Sequence, residues 1–142
     1  DTDRSRGLGD VYKRQIIDHI RNYDEFKKLY DTRPMHTDLF SYEHIINNPH
    51  LYCFYGEKDG LLKGFIFITA DEKGNLFLSG VSVPKNMPDN KNAIITVCEA
   101  YKQDIYSDTD LKQAVYMLKI AGFKHYKDTI YVRKYRGKNG KI

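Results

Sequence analysis

A chain of 142 residues, 41% of them hydrophobic, has the length and apolar content for one domain with a real core. The formal charge of +4 is uneven: Arg133, Lys134, Arg136, Lys138 and Lys141 fall in the last ten residues with no acid, which leaves −1 for residues 1–132. The basic balance is thus a property of the C-terminal end, 133–142, of which 136–142 reads as a basic, solvated tail rather than a nucleic-acid surface; no apolar run approaches a membrane-spanning length.

Residues 1–14 (DTDRSRGLGDVYKR) hold no apolar periodicity and read as adapter-derived, non-native sequence or a disordered arm outside the fold. A domain is expected over 15–135. Gln15 to Ile20 reads as a first strand, and Tyr23 to Tyr30 as a helix capped by Asp24, with Phe26 and Leu29 inward. Arg33-Pro34 breaks that helix. A second short helix is expected from Ser41, its cap, to Asn47, ended by Asn48-Pro49. Three strands follow: Leu51 to Tyr55, Leu61 to Ala70 and Asn75 to Val83. They are joined by turns at Asp59-Gly60 and Glu72-Lys-Gly74, as in an antiparallel meander. Gly80, inside the third strand, is a bulge candidate. Pro84 to Asn90 reads as a loop, Lys91 to Ile105 as a helix, and Ile105 to Ser107 as a very short strand.

The segment from Asp110 to Arg133 is the most informative. Leu111, Ala114, Val115, Leu118 and Ala121 fall on one helical stripe, while Lys112, Gln113 and Lys119 face outward. Asp110 is the expected cap. Gly122 ends the helix, Phe123 turns inward, and one strand follows with Ile130 and Val132 on one face. This stretch resembles the last helix and strand of the GNAT superfamily of acetyl-CoA-dependent N-acetyltransferases, whose pattern reads N-x-x-A-x-x-x-Y-x-x-x-G-F. Ala114, Gly122 and Phe123 match; Leu111 stands at the Asn and Leu118 at the Tyr that often serves as general acid. The resemblance implies an α+β fold: a mixed, mainly antiparallel sheet with helices on both faces, its final hairpin strand short or missing.

It also implies an acetyl-CoA site. In the family the strand before the long helix splays from its neighbour and offers backbone groups to the pantetheine arm, and a glycine-rich loop wraps the pyrophosphate at the helix start. Carried onto this sequence, the cofactor-binding set is Val81, Val83, Lys85, Asn86, Asn90 and Lys91. The expected Gln/Arg-x-x-Gly-x-Gly/Ala loop is replaced by Lys85-Asn-Met-Pro-Asp-Asn-Lys-Asn92, which has no glycine. Pro88 lacks an amide donor and Asp89 adds negative charge. Asn75 to Val83 contains no Asp, Glu or His to act as base. Tyr116 is two residues from the Tyr position and points elsewhere; Tyr126 and Tyr131 are expected to pack on the core strand. No catalytic residue is assigned.

Two functional readings stand. One is a divergent N-acetyltransferase acting on a small-molecule or protein amine; the other is a non-catalytic GNAT-like protein without a cofactor, such as a phage virion-associated or internal protein with virion partners. A cytoplasmic location, in a bacterium or an infected cell, is expected for the first. Cys53 and Cys98 read as buried thiols, and the five histidines show no metal-ligand spacing.

Overall fold

The computed structural model describes residues 16–32, 41–82 and 87–136. Along the chain these form β1 (Ile16–Ile17), α1 (Tyr23–Tyr30), α2 (Tyr42–Ile46), β2 (Leu51–Tyr55), β3 (Leu62–Ala70) and β4 (Leu76–Ser82). Then come α3 (Met87–Ala100), β5 (Ile105–Asp108), α4 (Lys112–Ile120), β6 (Lys124–Lys127) and β7 (Ile130–Arg133). The strands make one seven-stranded sheet in the order β1-β2-β3-β4-β5-β7-β6. Every pairing is antiparallel except β4 with β5, which is parallel and connected through α3.

Alternation along the strands loads both faces of the sheet with apolar side chains, so each face needs a helical layer. Tyr52, Phe54, Ile66, Ile68, Leu78 and Ile105 meet Ile94, Val97 and Cys98 of α3 and Leu118 of α4 on one face. Leu51, Cys53, Tyr55, Phe65 and Phe67 meet Phe26 and Leu29 of α1 and Ile45 of α2 on the other. The mixed, mainly antiparallel α+β architecture expected from the sequence is the one observed.

Local details differ from the sequence expectations. The first strand is only Ile16–Ile17. Asn22, not Asp24, caps α1: its side-chain oxygen accepts from the Glu25 amide, and Asp24 sits in the first turn. Ser41 does cap α2, accepting from the His44 amide. Gly80 is no bulge, since β3 and β4 pair without interruption from Gly64↔Ser82 to Ala70↔Leu76. It is there for close approach: a Cβ at Gly80 would lie 2.4 Å from the Phe65 carbonyl oxygen. The irregularity falls instead between Phe54 and Tyr55 in the β2–β3 ladder.

The helix expected over Lys91 to Ile105 starts earlier and ends earlier, at Met87 and Ala100, so residues 87–90 are helical rather than loop. Pro88 does not prevent this, because amides in a helical first turn lack intrahelical acceptors and proline forfeits nothing there. Residues 84–86 lie outside the described residues. Asp110 does not cap α4; Leu111 occupies the cap position with no side-chain bond and is itself 39% exposed, away from the stripe it was expected to extend. Gly122 does follow the helix in the left-handed conformation, φ +100°, and Phe123 is buried. The single final strand is in fact a hairpin, β6 and β7, turning through Asp128 at φ 52°.

Candidate functional site

The site is set by where the one parallel pair stops. β4 and β5 share only two register pairs, Leu76↔Ile105 and Phe77↔Tyr106. β4 runs on to Ser82 along β3, while β5 runs to Asp108 along β7. Beyond Phe77 and Tyr106 the two strands share no register pair among the described residues and each follows its other neighbour, so the ladder splits toward their carboxyl ends. In open sheets with parallel neighbours, a crevice at the carboxyl ends where connections part is the place for a ligand.

The chemistry of the split follows from backbone alternation. The Leu78 carbonyl points away from β3, because the Ser107 hydroxyl on β5 donates to it at 2.8 Å. Ser107 is 6% exposed, and its hydroxyl satisfies an acceptor that the ladder would otherwise have paired. Successive residues of a strand alternate the edge to which their amide and carbonyl point. The backbone groups of Gly80 and Ser82 thus face the same edge as those of Leu78, and neither residue has a register partner on β5 among the described residues. These are donors and acceptors suited to an amide-bearing, extended ligand.

At the mouth of the split, α3 meets β4 through one polar contact. Asn90 lies in the first turn of α3, is 6% exposed, and its amide nitrogen donates to the Ser82 hydroxyl oxygen at 2.7 Å. Its Oδ1 has no partner among the described residues. Exchanging the amide's oxygen and nitrogen would not cure this, since Ser82 would still meet only one end of the group. A buried amide half-satisfied in this way costs about 1–3 kcal/mol. With Asn90 donating to its oxygen, the exposed Ser82 hydroxyl has its proton left to give.

The other candidate residues are placed as follows. Val81 pairs with Phe65 and packs against the α1–α2 core, so the groups facing the split belong to its neighbours Gly80 and Ser82. Lys91 is exposed on α3. Val83, Lys85 and Asn86 lie outside the described residues. Leu118 is 4% exposed within the α3–α4 core, with no hydroxyl at that position of α4. Tyr116 is 57% exposed. Tyr131 packs against the core, whereas Tyr126, expected to do so, is 54% exposed, its ring 5.5 Å from that of Tyr106.

Sequence reasoning passed over three residues. Ser82 and Ser107 are small polar residues in apolar strands, a weak signal that only the split makes meaningful. Asp108 is the exposed last residue of β5, on the strand that forms one side of the split, and accepts a hydrogen bond from the Thr129 hydroxyl. Its strand was expected to stop one residue earlier. Cys53 and Cys98 are free and buried, and burial pushes both thiols up to about 12. No group of three or more His, Cys, Asp or Glu able to hold a metal is found among the described residues.

Comparisons with known proteins agree with this frame. An acetyltransferase of the GNAT family from Staphylococcus aureus Mu50 superposes with a TM-score of 0.59 at 19% identity, over 84% of this chain and 98% of that one. A GNAT-family acetyltransferase from Listeria monocytogenes 4b F2365 gives a TM-score of 0.47 at 16% identity, over 78% and 81%. No family profile and no curated protein sequence matches the chain. At 19% identity, the superposition on the Staphylococcus aureus protein shows a shared fold alone.

Proposed function

We propose that the chain is a divergent GNAT-fold N-acetyltransferase that takes acetyl-CoA as its acyl-thioester donor in the β4–β5 split and passes the acetyl group to an amine. The observation that carries this reading is the early end of the β4–β5 ladder, which leaves the Gly80 and Ser82 backbone groups facing an opening. An acyl-pantetheine arm is extended and carries amides, so strand-like backbone bonds suit it. The thioester end would lie toward the carboxyl end of β5. Asp108 is the carboxylate there, held by Thr129, and takes the role of base that β4 itself lacks. The amine loses a proton as it attacks the thioester carbonyl, and the thiolate leaves. Leu118 offers that thiolate no proton.

That last point favours a second reading, in which the fold binds a donor or a partner without transfer. One experiment separates them. Isothermal titration with acetyl-CoA is expected to give a dissociation constant in the high micromolar range that weakens with added salt, because exposed lysine charge contributes to it. Asp108→Asn is expected to leave that binding unchanged and to abolish amine acetylation measured with a panel of small amines and peptides. Donor binding with no transfer by the unmodified chain would support the second reading; no donor binding would sink the first.

A further inference from the structure

Where the split meets α3, the two ends of the site differ in what they offer. The strand end has backbone donors and acceptors at Gly80 and Ser82, plus a hydroxyl fixed by Asn90. Among the described residues, the helix end is poor in what a diphosphate needs. A helix start binds an anion when several free amides converge on it and the backbone can approach closely. The first four positions of α3 are Met87, Pro88, Asp89 and Asn90. Pro88 has no N–H to give. In the sequence Asp89 adds a formal negative charge next to Pro88, which counts against a phosphate at this helix start. The side chain of Asn90, which sits one residue further on, is turned down onto Ser82 and buried. Lys91 is exposed and supplies a point charge that salt screens.

From this juxtaposition of an equipped strand end and an anion-averse helix start, we infer that the donor is recognised by its pantetheine thioester arm, and that the nucleotide diphosphate of CoA adds to binding no more than a salt-screened contact with lysine charge. The inference rests on the reading that the split is the donor site. It widens the substrate class to pantetheine thioesters that carry no nucleotide. The Ser82 hydroxyl, with its oxygen occupied by the Asn90 amide, donates to a carbonyl of the arm; Asn90 acts as a positioning residue one bond removed from the ligand.

The test uses the whole chain and three ligands, acetyl-CoA, S-acetylpantetheine and the adenosine bisphosphate fragment of CoA, each titrated calorimetrically at low and at moderate salt. The expected result is that acetyl-CoA and acetylpantetheine bind within about threefold of each other at low salt, the span a screened lysine contact allows, and converge as salt rises. The nucleotide fragment shows no binding. Acetyl-CoA binding tenfold or more tightly than acetylpantetheine at moderate salt, about 1.4 kcal/mol, would overturn this inference while leaving the donor site standing. If neither thioester binds, the donor-site reading itself fails, and this inference with it.

Discussion

Leu118 shows how one side chain separates a fold from its chemistry. It is 4% exposed and packs in the core shared with α3, where Ile94, Val97 and Cys98 meet the sheet. Leu118→Ala removes buried methyl groups and should destabilise the chain by about 2–5 kcal/mol in denaturant unfolding. Leu118→Tyr should create no acetyl transfer by itself where the native chain shows none. The two thiols behave similarly as core groups rather than reagents. Cys53 and Cys98 are held near 12 by burial, against an ordinary value of 9.0. Between those two values the unfolded chain loses protons that the folded chain keeps, so the thiols' contribution is intact below about pH 9 and declines as pH rises toward 12. Unfolding followed at stepped alkaline pH should show this loss, and Cys53→Ala with Cys98→Ala should flatten it. A thiol reagent at neutral pH should modify both residues only on unfolding.

At the scale of elements, the split depends on how tightly β4 is held on its other side. The β3–β4 ladder runs through seven unbroken register pairs, and Gly80 permits it because any Cβ there would strike the Phe65 carbonyl. Gly80→Ala should therefore destabilise by about 1–3 kcal/mol as an overpacked contact, and should weaken donor binding beyond what stability alone explains, because β4 must shift toward the split. Retained stability in thermal unfolding would show that β3 and β4 have slack. On the far side, Arg133 ties β7 to the helices. Its Nε donates to the Ala121 carbonyl at 3.0 Å, and its guanidinium reaches Glu99 on α3 at 3.2 Å. The first bond satisfies a carbonyl at the end of α4 that the helix itself leaves open. The outer edge of the sheet, β6, is four residues long, exposed at every position, begins and ends on Lys124 and Lys127, and is interrupted in its pairing with β7 between His125 and Lys127. Short, charged and irregular edges resist pairing with another chain.

Across the whole molecule, what the sequence made legible was what periodicity and turn chemistry encode. The meander from Leu51 to Ser82 followed from apolar runs of strand length and from the turns at Gly60 and Gly74, both at positive φ. The α4–Gly122–Phe123 stop followed from helical spacing. Helix starts were less legible: Asn22 precedes two acids that imitate a cap, and Pro88 resembles a loop residue although it sits in a first turn. The hairpin of β6 and β7 was hidden because Lys124 to Lys127 has no apolar alternation, as befits an exposed edge. The split was not legible in residues at all. It is a topological consequence of β4 and β5 pairing parallel for two residues and then following different partners, and only the fold brings Asn90 onto Ser82 and Ser107 onto the Leu78 carbonyl along it. The measurement that bears most directly on that opening is backbone amide mapping by heteronuclear NMR during titration with acetyl-CoA. The amides of Gly80 and Ser82 should shift and gain protection from exchange, while those of Leu76 and Phe77, alongside the paired part of β5, should not move. Saturable shifts confined to another surface, or no shift at Gly80 and Ser82 at millimolar ligand, would show that the β4–β5 split is not the donor site.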